Sequence, residues 1–275
     1  MKKRVATLIL NRNLPNITDA LVDHIKEFDG DITDIFVIES GSDSNNLSKN
    51  CTWYANWEEV MINGLRYPRG MNFGLSQLWR ENRFLQYDSF FLLTNDTELE
   101  KKATIRPLQN ILDNHPKLGI LSPCSPNWGE ILLLDEKDTM YFWYIHNNAY
   151  FLRREFIENL CDIENPNYIN FLFDGNNFRG YGTEHELIAK AYANDWAAAI
   201  TKKVIASENE SHLLTKADLI KTKPYEENMH LYIEEGKKWM QKKYGFKSHW
   251  AMHRYAKCFY DMFFEINPDC REYQL

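Results

Sequence analysis

Apolar runs and helical spacings alternate along the first half of the chain, and they predict alternating strands and helices. VATLIL (5–10) is a continuous apolar run, as a strand covered on both faces requires; Ile17, Leu21, Ile25 and Phe28 then recur at helical spacing. DIFVIES (34–40) is the next strand, and Gly41 with the polar stretch to Asn50 predicts a loop. A helix is expected over 72–81, then the strand in FFLLTND (90–96), then a helix marked by Ile105, Leu108, Ile111 and Leu112 and closed by Pro116. LGILSP (118–123) reads as a further strand. This alternation is that of a parallel, doubly wound α/β sheet.

After Trp128 the texture changes. ILLLD (131–135), YFWYI (141–145) and NAYFL (148–152) follow one another with short polar breaks, which predicts a meander or mixed-sheet extension. Helices are expected at 154–161 and 183–194, and a strand near 198–206. From Thr215 onward Lys, Glu and aromatic residues recur at helical spacing, with Gly236 and Gly245 as interruptions. The expected division is therefore an α/β unit over 1–215 and a helical C-terminal extension over 216–275.

Composition narrows the classes. A hydrophobic content of 44% supports a proper core, and 32 basic against 39 acidic residues give a net charge of −7, with no bulk attraction to nucleic acid or anionic lipid. The five cysteines lack any C-x-x-C spacing, so they suggest buried thiols in a reducing, cytoplasmic setting and no zinc cluster. The first apolar run is shorter than a signal-peptide core, and no stretch approaches membrane-spanning length.

In open α/β sheets ligands collect at the carboxyl ends of the strands, and three strands end there on polar residues: Asn11, Glu39 and Asp96. Each also has an ordinary reading. An aspartate after a strand is commonly a turn residue, and Glu184 and Glu186 suit the first turn of a helix through its dipole. His212 alone would be a solvated loop residue. HWAMH (249–253) has the i, i+4 spacing of a helical zinc site, but Trp250 stands where the general-base glutamate belongs.

Taken in order, the motifs resemble the GT-A glycosyltransferases, family 2 of the nucleotide-sugar-dependent enzymes. VATLILNRN resembles the family's first strand, and VIESGSD (37–43) its V-D-x-G-S segment, with Glu39 where an aspartate contacts the nucleoside. RGMNFG (69–74) is similar to the R-x-N-x-G element, through Arg69, Asn72 and Gly74. FFLLTNDTEL resembles the strand ending in the metal-binding D-x-D, with Asp96 as its last acid and Thr94 in place of the first. GYGTEHELIAKAYANDW (180–196) looks like the glycine turn and acidic helix that carry the catalytic base. Anchored on the glycines, His185 matches the family's aspartate; anchored on Glu186-Leu187, Glu184 does.

What the resemblance implies is a Rossmann-like GT-A fold, with a mixed, mostly parallel central sheet, flanking helices and a C-terminal helical extension. It also implies inverting transfer of a sugar from a nucleotide diphosphate sugar to a hydroxyl of a glycan or lipid-linked glycan, assisted by Mn2+ or Mg2+. Asn11, Glu39, Arg69, Asn72 and Asn95 would hold the nucleotide side, and Asp96 and His212 the cation. Glu184 would be the base, Glu186 would support the acceptor site, and His146, Asn148 and His185 would line the acceptor side. Two further readings stay open: a donor-binding protein without catalysis, suggested by Thr94, and a transferase acting on nucleic acid, which the charge disfavours. The aromatic and basic residues over 239–264 read either as helices packed on the catalytic domain or as a peripheral surface meeting a membrane or lipid-linked acceptor.

Overall fold

The computed structural model describes residues 5–145, 149–161, 164–209 and 211–275. β1 (Val5–Asn11), α1 (Pro15–Asp29) and β2 (Thr33–Ser40) form a parallel β-α-β unit in register from Val5↔Thr33 to Asn11↔Glu39. Every residue of β1 is buried, which is why its sequence shows a run rather than an alternation. β3 (Cys51–Ala55), α2 (Glu58–Asn63) and α3 (Arg66–Arg80) follow. β4 (Ser89–Thr94) pairs in parallel with β1, and the chain turns through Asn95 and Asp96 into β5 (Thr97–Leu99).

The rest of the order is α4 (Ile105–Asn114), β6 (Leu118–Cys124), β7 (Thr139–Tyr141), β8 (Tyr150–Arg153), α5 (Arg154–Leu160), α6 (Thr183–Ala193) and β9 (Ala197–Glu208). α7 (Ser211–Thr215), α8 (Tyr225–Tyr244) and α9 (His249–Ile266) close it. The strands lie in the order β3-β2-β1-β4-β8-β6-β9-β5, with β7 also on β9. β8 runs antiparallel between β4 and β6, and β5 and β7 run antiparallel to β9, so the sheet is mixed and mostly parallel.

Several local expectations change in the folded chain. ILLLD belongs to a 3-10 helix (Gly129–Leu134) that leaves Leu132 83% exposed, and YFWYI contributes only Tyr141 to a strand. Short apolar runs do not distinguish strand from buried or irregular chain. α3 begins at Arg66, well before residue 72, because Pro68 is tolerated in a first turn. Gly236 is no interruption: it lies inside α8, where a Cβ would come within 2.5 Å of the Tyr181 side chain, so only glycine lets α8 approach.

Of the C-terminal helices, α9 shares the core of the sheet, whereas the buried Trp239 and Met240 of α8 form a smaller cluster with Met252. Tyr260, Phe263 and Phe264 of α9 join the same buried cluster as the strands, packing on Tyr192 of α6 and Tyr141 of β7. Among the described residues no helix is long and apolar enough to cross a membrane.

Candidate active site

Parallel pairing of β1 and β4 brings their carboxyl ends out side by side. Asn95 donates from its backbone to the Leu10 carbonyl (3.1 Å), and its Nδ2 donates to Asn11 Oδ1 (2.8 Å). A cavity of ≈150 Å³ opens there, lined by Asn11, Asn95, Asp96 and His212 among others. A second cavity, ≈570 Å³, is lined by Glu184, His185, Tyr181, Glu208 and by residues of α8 and α9. Arg66, Thr94 and Asp96 line both, so the two cavities meet at the end of β4.

Glu184 and His185 reach the second cavity because Gly182, in the left-handed region at φ +82°, turns the chain sharply into α6. Nδ1 of His185 lies 2.9 Å from Glu184 Oε1. Burial first, and the Glu184 charge second, push the Tyr150 and Tyr232 hydroxyls well above the ordinary phenol range. These phenols stay neutral, so they do not compete with Glu184 for protons.

Other residues singled out in the sequence have structural duties. Glu39 is fully buried and lines neither cavity. Its oxygens accept from Asn11 Nδ2 (3.0 and 2.9 Å), Ser42 Oγ (2.6 Å) and Ser48 N (2.8 Å), so it braces the loop after β2. Asn72 is equally buried; its amide bridges the backbone of Leu172 and Phe173. Arg69 donates to the Gly175 carbonyl (2.8 Å) and pairs with Glu59, which anchors the same loop to α3. Glu186 points away from the cavity, toward Lys243 (2.6 Å), Lys190 (3.3 Å) and the Tyr244 hydroxyl, and so locks α8 onto α6. His146 and Asn148 lie outside the described residues.

The sequence reading missed Arg66, Arg179, Glu208 and the walls supplied by Tyr181, Tyr225 and Tyr232. Tyr181 was within reach, since it sits inside the quoted glycine turn; the α8 residues carry no motif and reach the cavity only through packing. His249 and His253 also line it, with the His253 ring 3.8 Å from that of His185. Among the described residues no group of three or more His, Cys, Asp or Glu side chains is arranged to hold a metal ion.

No family model matches the chain, and no curated protein sequence does. Solved structures do. S. aureus TarS 1–349 in complex with UDP-GlcNAc matches with a TM-score of 0.52 at 11% identity, over 87% of this chain and 74% of that one. The same protein without ligand gives 0.51 at 9% identity over 87% and 72%, and its UDP complex gives 0.50 at 10% over 87% and 73%. This chain has the GT-A fold. Within that GT-A fold, the end of β4 where the two cavities meet is also the carboxyl end of the central parallel strands, the general location of ligands in α/β sheets.

Proposed function

We propose that this protein is an inverting glycosyltransferase that moves a sugar from a nucleoside diphosphate sugar to a hydroxyl of a glycan or lipid-linked glycan. The observation that carries this reading is the pair of cavities joined at Arg66, Thr94 and Asp96, with a carboxylate, Glu184, on the wall of the larger one. In this reading the nucleoside lies on the side of the smaller chamber, the transferred sugar and acceptor in the larger, and the diphosphate at the junction between them.

In this mechanism Glu184 accepts the proton of the acceptor hydroxyl as its oxygen attacks the anomeric carbon, and the bond from that carbon to the diphosphate oxygen breaks. His185 holds the Glu184 carboxylate from one side. The aromatic walls from Tyr181, Tyr225 and Tyr232 offer flat apolar faces and hydroxyl donors suited to sugar rings.

A divalent cation, Mn2+ or Mg2+, supplies positive charge to the leaving diphosphate when bound. Asp96 and His212 line the smaller chamber and would hold it, and the buried His212 Nδ1 has no hydrogen-bond partner among the described residues, which fits a ligand nitrogen.

Beside the larger chamber runs an apolar groove between Trp143 and Trp250, edged by Arg254 and Lys257 and joined to it through Tyr144 and His253. Its apolar floor and cationic edge suit the lipid-phosphate end of a lipid-linked acceptor.

The test is the melting temperature against a panel of nucleoside diphosphates and their sugars, with Mn2+ and with chelator, since selective binding to the folded state raises it by mass action. A shift with one nucleotide class supports the donor site and directs an acceptor screen. No shift with any of them, in folded protein, overturns the reading.

A further inference from the structure

Among the described residues three arginines line the two chambers, and two of them are held by several partners within the protein, although the buried Nε of Arg12 has none there. Arg12 donates to the carbonyls of Ser40, Val60, Met61 and Ile62, closing the C-terminal end of α2. Arg179 pairs with Glu235 (3.1 Å) and donates to Asn228 Oδ1 (2.8 Å). Arg66 differs. It makes no ion pair among the described residues, its Nε is buried without a hydrogen-bond partner, and its one hydrogen bond there is from Nη2 to Thr222 Oγ1 (2.9 Å).

Burying a guanidinium that no carboxylate contacts is costly; the charge of Glu235, acting at longer range, offsets only part of that cost, and an anionic ligand at the junction would supply the rest. Burial first, then the positive charges of Arg179 and Arg12, push its pKa down to about 10, so it remains charged at neutral pH. Its backbone is also strained, at φ +57° in the left-handed region, as residues held for a site are. Arg66 stands at the junction of the chambers, which is where the diphosphate of a donor seated in both would lie.

We infer that Arg66 is the residue that binds the donor's diphosphate, and that it does so without requiring a divalent cation. The inference rests on the donor-site reading above. A planar guanidinium presents paired N–H donors that match phosphate oxygens, and here only Nη2 has a partner among the described residues, the Thr222 hydroxyl. Thr94 in place of an acid at the end of β4 agrees with this, because part of the charge neutralisation falls to Arg66. Thr222 is its positioning residue: the hydroxyl accepts from Arg66 and donates to Asn228 Oδ1 (3.2 Å), which also receives Arg179. The segment after α7 thus aims Arg66 into the site.

Isothermal titration of the full chain with UDP, GDP, ADP and dTDP, in excess Mn2+ and in EDTA, tests it. The wild-type protein is expected to bind one of these in EDTA within about tenfold of its Kd in Mn2+, and Arg66→Gln to weaken that EDTA binding at least about tenfold. Arg66→Lys keeps the charge but loses the fork and should weaken it less, and Thr222→Val by a few fold; these two decide the matter if Arg66→Gln does not fold. The matching nucleoside without phosphate should bind wild type and Arg66→Gln alike. Wild-type binding abolished by EDTA, or Arg66 variants that melt and bind in EDTA as wild type does, would overturn the inference and leave the donor site standing. Wild type that binds no nucleotide in either buffer would overturn the donor reading as well.

Discussion

Nζ of Lys243 lies 2.6 Å from Glu186 Oε1 and 2.6 Å from Asp174 Oδ2, so a single cation on α8 ties α6 and the loop before it together. This three-way contact is one latch that keeps α8 against the larger chamber. Although Asp174 is partly buried, which by itself raises its pKa, hydrogen bonds from Lys243, Trp239 and the Asn176 backbone lower it from 3.8 to about 2.

A depressed carboxylate pKa contributes stability above its unfolded value that is lost as pH falls through its folded value. The latch is therefore intact above pH ~4 and fails progressively toward pH ~2. Lys243, buried but raised by Asp174 and Glu186, adds stability at neutral pH that is lost only as pH rises through its raised pKa. Lys243→Met should lower the melting temperature at pH 7 and flatten its acid dependence between about pH 4 and 2. Acid melting curves that superpose on those of wild type would remove the latch.

Glu184→Gln keeps the size of the side chain but cannot take a proton. Transfer should fall by ~10²–10⁴-fold while nucleotide binding by calorimetry stays within error of wild type. Turnover unchanged in this variant would exclude Glu184 as the base.

Glu39 accepts four hydrogen bonds in a fully buried position. In Glu39→Gln one of its oxygens becomes an amide that faces donors, which should cost about 1–3 kcal/mol and several degrees of melting temperature. Nucleotide affinity per folded molecule should hardly change, because the carboxylate does not line the chambers. A large loss of affinity with unchanged stability would restore Glu39 to the donor site.

Phe263→Ala on α9 opens a hole in the core shared with the sheet, and should destabilise the whole protein by about 3–5 kcal/mol. The melting curve should keep one transition, since α9 shares that core. An early separate transition of the C-terminal helices would show that they fold as an independent unit.

Much of this was written in the chain itself. The apolar runs at 5–10, 90–93 and 118–121 mark buried parallel strands because each alternates with a helical spacing, which separates them from the isolated runs after Trp128. They also place Asn11, Asn95 and Asp96 at the strand ends where a ligand collects. Only the tertiary structure decided which polar residues near those ends face the cavity. Glu39, Asn72, Arg69 and Glu186 share residue types with working groups, yet loops and helices distant in sequence absorb their hydrogen bonds. Arg66 and the tyrosines of α8 show the converse: nothing local marks them, and they reach the site because folding brings α3 and α8 to the end of β4. Local pattern records what a residue must be buried against, whereas a site is a meeting of segments far apart in the chain, and that meeting is settled by packing.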